Sequence, residues 1–261
     1  MRPTFLNQTR PLLTNMIQVE NPEDAIETIR NALGDGADAF GLQLCQFNPR
    51  FQAKESYQRI FEFMGDKPIY ITNYRGAFNK GASDEVLAKG LVEAIKAGAT
   101  LCDIMGDLFD PSPFELTING KAIARQKGLI SQIKSLGGEV LISSHINSFL
   151  PAEKVLEIAM AHQARGADIT KIVTMGNSQA EELENLRITA LLKEKLEIPF
   201  LFLSGGSHYK LHRMIGPLLG CVMYLCVQRH DKLSTKSQPV LRAVREVLAN
   251  FDYTAHRKFE E

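Results

Sequence analysis

The chain has 261 residues, 44% of them hydrophobic and 23% charged, and its 30 basic and 30 acidic side chains cancel to a formal charge of zero. At roughly 100–200 residues per domain this is one large domain or two small ones. There is too much apolar surface for intrinsic disorder, and no basic excess to hold a phosphate backbone, so a nucleic-acid partner is not expected.

No run reaches the roughly 18 apolar residues of a spanning helix, and residues 1–24 lack the apolar stretch and small-residue cleavage site of a secretory leader. A membrane partner is therefore not expected. The four cysteines, Cys45, Cys102, Cys221 and Cys226, include no CxxC pair. They read as buried free thiols of a reducing compartment, with the cytoplasm as the expected address.

In chain order, short apolar runs alternate with helical patterns. The runs cover 12–19, 37–44, 67–73, 100–106, 139–145, 167–175, 199–205 and 221–227, giving eight predicted strands. The first predicted helix, about 22–34, opens with Asn21 as a cap, Pro22 in the first turn, then Glu23 and Asp24 facing the positive helix end. Further helices are predicted at about 53–64, 84–97, 120–136, 152–165, 178–196, 208–219 and 238–250. Gly-Ala-Asp or Gly-Ala-Thr at 36–38, 98–100 and 166–168 marks helix-to-strand turns. Near-continuous apolar strands suit a parallel sheet covered by helices. Eight βα units in this length predict a single-domain (β/α)8 barrel over residues 1–261. The competing doubly wound open sheet lacks its GxGxxG fingerprint.

In such a barrel the chemistry sits at the C-terminal strand ends. Lys171 lies inside the sixth strand, where period two places Ile169, Lys171 and Val173 on one face. Pointing inward, its amine would be desolvated, which favours the neutral form that attacks a ketone to make a Schiff base. An exposed lysine, or one satisfied by a carboxylate, is the structural alternative. His145 ends the fifth strand, one strand spacing away, and suits proton transfer near neutral pH. Arg75 after the third strand and Arg213 after Ser204-Gly205-Gly206-Ser207 could each grip a carboxylate with a bidentate fork. His208 and His212 stand at i, i+4, but no third ligand is evident, and no metal is expected.

The motifs SSH at 143–145, GADITKIVTM at 166–175, SGGSHYKLHRMIGPLLG at 204–220, ITNYR at 71–75 and STKSQ at 234–238 together resemble type I 3-dehydroquinate dehydratase, over nearly the whole chain. The resemblance implies a (β/α)8 barrel, usually a homodimer, that dehydrates 3-dehydroquinate through a lysine imine with no metal or cofactor. That activity belongs to the shikimate pathway of aromatic amino acid biosynthesis. It also implies that Lys171 is the imine lysine and His145 the proton shuttle. Arg213, Ser234 and Gln238 would hold the substrate carboxylate, and Arg75 would be the strand-three arginine of the site.

The sequence departs from that pattern in one half of the site. Where the family has Glu-x-Arg-x-Asp on strand two, this chain reads Gly41-Leu42-Gln43-Leu44-Cys45, leaving Gln43 as the remaining candidate substrate contact there. The glutamate that partners the family's histidine is Asn79 here, the Asp-x-Glu of strand four is Asp103-Ile104-Met105, and the aspartate after the histidine is Ile146. His145 is thus expected to act without a carboxylate beside it. A site that has lost its hydroxyl-reading groups discriminates differently among substrates. The expected activity is a carbon–oxygen lyase on 3-dehydroquinate or a related carboxylate-bearing ketone. The alternatives are a class I aldolase or isomerase using the same lysine, and a ligand-binding homologue without turnover.

Overall fold

In a computed structural model, residues 3–251 are described. Eight parallel strands alternate with helices. The strands are β1 (Leu12–Ile17), β2 (Ala39–Gln43), β3 (Ile69–Thr72), β4 (Leu101–Met105), β5 (Glu139–His145), β6 (Ile169–Gly176), β7 (Phe200–Gly206) and β8 (Met223–Cys226). The helices are α1 (Pro22–Gly34), α2 (Lys54–Glu62), α3 (Asp84–Ala97), α4 (Gly120–Ser135), α5 (Ala152–Ala164), α6 (Gln179–Lys195), α7 (Lys210–Ile215) and α8 (Leu241–Leu248). Each predicted strand and helix is present, and differences fall at the ends. The seventh helix is the exception: it is α7 followed by a 3-10 turn, Gly216–Leu219, because Gly216 and Pro217 interrupt the pattern.

The strands follow the order β7-β6-β5-β4-β3-β2-β1-β8, all neighbours parallel. The seam between β7 and β8 is narrower than a ladder: Val222 N donates to Phe200 O at 2.9 Å, and Phe202 N reaches only Cys221 Sγ at 3.5 Å. The result is a nearly closed single-domain (β/α)8 barrel, as the sequence predicts.

Local chemistry accounts for the elements. The Asn21 side chain accepts from Asp24 N, so α1 starts where its cap sits. Gly98 ends α3 with φ 122°, a backbone state that L side chains adopt at a cost, and turns the chain into β4. Outward strand residues such as Phe40, Ile71, Ile104 and Val140 pack under Ile29, Leu91, Ile95 and Ile133 of the helices. Inward residues Ala39, Leu101, Leu141, Ile169, Leu201 and Met223 fill the barrel and form a solid floor below its C-terminal mouth. All four cysteines are buried and free.

Candidate active site

The floor gives way to a cavity of about 440 Å³ at the C-terminal strand ends, within the size range of small-molecule sites. Strand alternation decides what enters it. On β6, Lys171, Val173 and Met175 line the cavity, while Thr170 turns outward and binds His162 Nδ1 at 2.8 Å. On β5, Ser143 pairs in register with Lys171, and His145 lies two residues further toward the mouth.

Lys171 is 3% exposed. Its amine has a partner: Nζ lies 3.1 Å from Asp103 Oδ2 and donates to Tyr74 Oη at 2.6 Å and Tyr70 Oη at 3.2 Å. Both tyrosines donate in turn to Asp103 Oδ2, and Ser143 Oγ donates to Asp103 Oδ1. The lysine is therefore desolvated but carboxylate-paired, the structural alternative left open by sequence. Burial works to raise the Asp103 pKa, but the charges of Lys171 and His145 and the hydrogen bonds from Ser143 and Tyr70 outweigh it, holding the carboxyl below its ordinary 3.8. Burial first, and Asp103 second, push both tyrosines well above 10, so they stay phenols that donate.

His145 is not without a carboxylate, contrary to expectation. Glu115 reaches it from the segment between β4 and α4, with Oε1 and Oε2 at 3.0 and 3.2 Å from Nδ1. The Tyr74 ring meets the imidazole edge-on, centroids 4.9 Å apart. Glu115 (φ 48°) and Phe114 (φ 61°) sit in the left-handed region, strain that the surroundings must hold. Buried Arg165 does so, donating to Gly106 O and Thr117 O at 2.5 Å each and to Gln126 Oε1 at 2.9 Å, while Ser144 Oγ donates to Glu115 O at 2.9 Å.

Arg213, from α7, is 6% exposed and lines the cavity. Its Nε donates to Ser204 O at 2.6 Å and its Nη2 approaches Ser237 Oγ at 3.4 Å. No carboxylate of the described residues forms an ion pair with it. Burial brings its pKa down to about 10. A desolvated guanidinium without a counter-ion is an anion site in waiting. Gln238 lines the same end, and its buried Oε1 has no partner among the described residues.

The remaining candidates divide. Arg75 borders the cavity, but both sides of its fork are taken: Nε and Nη2 bind Asp84 at 2.9 and 2.7 Å, and Nη1 binds Asp107 at 2.7 Å. It is a strut between α3 and the strand-four loop, with no free fork for a substrate. Ser234 does not line the cavity. Its hydroxyl accepts from Asp231 N at 2.8 Å and braces the turn leading to Thr235, Ser237 and Gln238, which do line it. Gln43 lines it with its amide engaged by Gln18 and Cys45. His212 is buried against Thr189 Oγ1 at 3.0 Å, and His208 is exposed.

Sequence reasoning missed Tyr70, Tyr74 and Glu115. The same alternation that groups Lys171 with Ile169 and Val173 puts Tyr70, Thr72 and, just past β3, Tyr74 on one face, with Arg75 out of phase, so the tyrosines were discoverable. No local pattern marks Glu115, which meets His145 across 30 residues.

Fold and site together define a (β/α)8 barrel with a buried lysine amine at its mouth, a carboxylate-bound histidine one strand away and, in the same cavity, an arginine that has no carboxylate partner among the described residues. The type I 3-dehydroquinase family model matches residues 15–254, and the chain belongs to that family. A 3-dehydroquinate dehydratase of Geobacillus thermodenitrificans (strain NG80-2) is 28% identical over 117 residues, covering 44% of this chain and 45% of that relative, so the match spans under half of the curated protein. Among solved structures, the 3-dehydroquinate dehydratase of Geobacillus kaustophilus HTA426 superposes with a TM-score of 0.79 at 17% identity, covering 93% of this chain and 91% of that one. That of Enterococcus faecalis gives 0.74 at 22% identity, covering 94% and 95%. At these identities the structures speak for the fold.

Proposed function

We propose that this chain is a carbon–oxygen lyase that dehydrates 3-dehydroquinate or a related carboxylate-bearing ketone through an imine on Lys171. The observation that carries the reading is the pairing, in one cavity, of the buried Lys171 amine with the unpaired Arg213 guanidinium. One supplies a nucleophile and the other an anchor for a carboxylate. The family membership and the dehydratase names of its relatives support the same reading.

The roles follow from the geometry. Arg213, with Gln238 and Ser237 beside it, orients the carboxylate. Lys171 gives up a proton to solvent at the open mouth and its lone pair attacks the ketone carbon. The carbinolamine loses water and leaves a protonated imine. That cation stands where the ammonium stood, so Asp103 and the two phenols stabilise it as they stabilise the lysine. His145, steadied by Glu115, removes the α-proton. The resulting enamine expels the β-hydroxyl, which leaves as water with the proton His145 took. A second water then hydrolyses the imine and frees Lys171, for a net loss of one water from the substrate. No residue in this scheme calls for a metal or cofactor.

Trapping tests it. Borohydride added with 3-dehydroquinate and a panel of ketoacids should leave a reduced adduct that peptide mass mapping places on Lys171, and Lys171→Met should abolish it. An adduct elsewhere, or none with any ketone that is turned over, ends the imine reading. Product analysis separates dehydration from retro-aldol cleavage. The proposal includes one barrel domain across 1–261, of which 1–2 and 252–261 lie outside the described residues. It also includes a homodimer, which light scattering would check, and a cytoplasmic address, to which four free buried cysteines are suited.

A further inference from the structure

Among the described residues, three groups hydrogen-bond the Lys171 amine: Asp103, Tyr70 and Tyr74. They differ in what else they can touch. Asp103 and Tyr70 lie behind the lysine, fully buried. Tyr74, just past the end of β3, lines the cavity together with Lys171. Its Oη is also the nearer of the two phenols, 2.6 Å from Nζ against 3.2 Å for Tyr70. Its ring stands edge-on against His145, so one tyrosine adjoins both the amine and the imidazole.

An imine forms through a carbinolamine, whose hydroxyl lies two bonds from Nζ. A phenol that touches Nζ and faces the cavity is within reach of that hydroxyl too, and such reach is the first requirement of proton transfer. Tyr70 and Asp103 meet the nitrogen from the buried side. At rest the Tyr74 hydroxyl donates to Asp103 Oδ2. Asp103 also accepts from Tyr70, Ser143 and Lys171, so Tyr74 can turn its proton toward the cavity without leaving the carboxylate bare. Burial first, and Asp103 second, keep Tyr74 a phenol between transfers.

We propose that Tyr74 is a catalytic residue: it carries the protons that turn the carbinolamine into the imine, and the imine back again at the end of the cycle. This rests on the imine reading above, whose carbon-side steps stay with His145. When the neutral amine attacks, the N–C bond forms and the carbonyl π pair moves to oxygen. Nζ passes a proton to Tyr74 Oη while Tyr74 passes its own to that oxygen, which gives the neutral carbinolamine and restores the phenol. The nitrogen lone pair then expels the hydroxyl, which takes the Tyr74 proton and leaves as water. The phenolate regains a proton from solvent at the mouth, equal to the one the ammonium released, so charge and protons balance on the protonated imine. Hydrolysis runs the same steps in reverse.

Two variants of the full chain decide the matter. Tyr74→Phe keeps the ring against His145 and removes only the hydroxyl. Tyr70→Phe removes the same two bonds, to Nζ and to Asp103, from the buried side. Each is mixed with 3-dehydroquinate, or with the first ketoacid of the panel above that labels the wild type, and treated with borohydride at successive times. The rate at which the reduced adduct appears on Lys171 is read against ketone concentration. At saturating ketone Tyr74→Phe should be slowed about a hundredfold with its half-saturation unchanged. Tyr70→Phe should be slowed by no more than about tenfold, the worth of one hydrogen bond. Labelling of Tyr74→Phe at the wild-type rate, equal slowing in both variants, or a loss that more ketone restores overturns the role of Tyr74 and leaves the imine reading standing. Should Tyr70→Phe fail to fold, the rate and half-saturation of Tyr74→Phe decide alone. If no ketone of the panel labels Lys171 in the wild type, the imine reading falls and this inference falls with it.

Discussion

Lys171 and Arg213 are both buried cations, and they differ in what faces them. Lys171 is answered by Asp103, 3.1 Å away and fully shielded. Removing one partner of such a pair leaves an uncompensated charge, so Asp103→Asn should cost about 3 kcal/mol in urea unfolding at neutral pH. The pH dependence follows from the direction of the Asp103 shift. Its folded pKa is held below the ordinary 3.8, so its contribution is fully present above that value and is lost as pH falls through the folded pKa. The stability gap between wild type and Asp103→Asn should therefore close below about pH 4. A constant gap down to pH 2 would mean that Asp103 is not ionised in the fold. Among the described residues Arg213 has no carboxylate to lose. Arg213→Met should leave unfolding within about 1 kcal/mol of wild type, or raise it, while abolishing carboxylate-dependent trapping. A collapse in stability would make Arg213 a strut like Arg75, whose fork already holds two carboxylates.

At the scale of elements, the segment 106–118 between β4 and α4 carries the carboxylate that the histidine uses. It has no regular ladder. Its conformation is fixed by Arg165 from the end of α5, by Gln126 Nε2 donating to Gly106 O and Leu108 O at 3.1 and 2.9 Å, and by Ser144. The left-handed backbone at Glu115 is the local cost of aiming it at His145 Nδ1. Glu115→Gln keeps the side chain's size and loses its charge. Imine trapping should survive, and turnover should drop about a hundredfold, because the imidazole loses the partner that orients it and balances its charge. Equal losses in trapping and turnover would show that Glu115 shapes the cavity rather than serving the proton transfers.

For the whole molecule, barrel closure is the uneven feature. Strand β6 is flanked by full ladders to β5 and β7, whereas the β7–β8 seam has one strong backbone bond and a weak sulfur contact. Local opening follows such differences. Amides of β7 facing the seam should exchange with solvent faster than those of β6, and uniform protection around the barrel would count against a partly open seam. The seam lies beside Leu203 and Leu225, two residues that line the cavity, so its opening would reach the cavity directly.

The architecture was legible in the sequence because it rests on local repetition. Eight apolar runs, helix caps such as Asn21, and glycines such as Gly98 each act within a few residues, and their count leaves one barrel. Period-two alternation likewise grouped Lys171 with Ile169 and Val173 on one face, and the structure turns that face inward. The tertiary structure decided which charges are matched. Glu115 meets His145, Asp103 meets Lys171, and Asp84 and Asp107 meet Arg75, while Arg213 is left open. Coulomb and hydrogen-bond energies depend on distances of about 3 Å between groups that lie 9 to 68 residues apart along the chain, and no local pattern encodes those distances. The same holds for Gly41 on β2: a Cβ there would lie 2.3 Å from Sδ of its β1 partner Met16, so the space beside the glycine is filled by a neighbour that the sequence does not name.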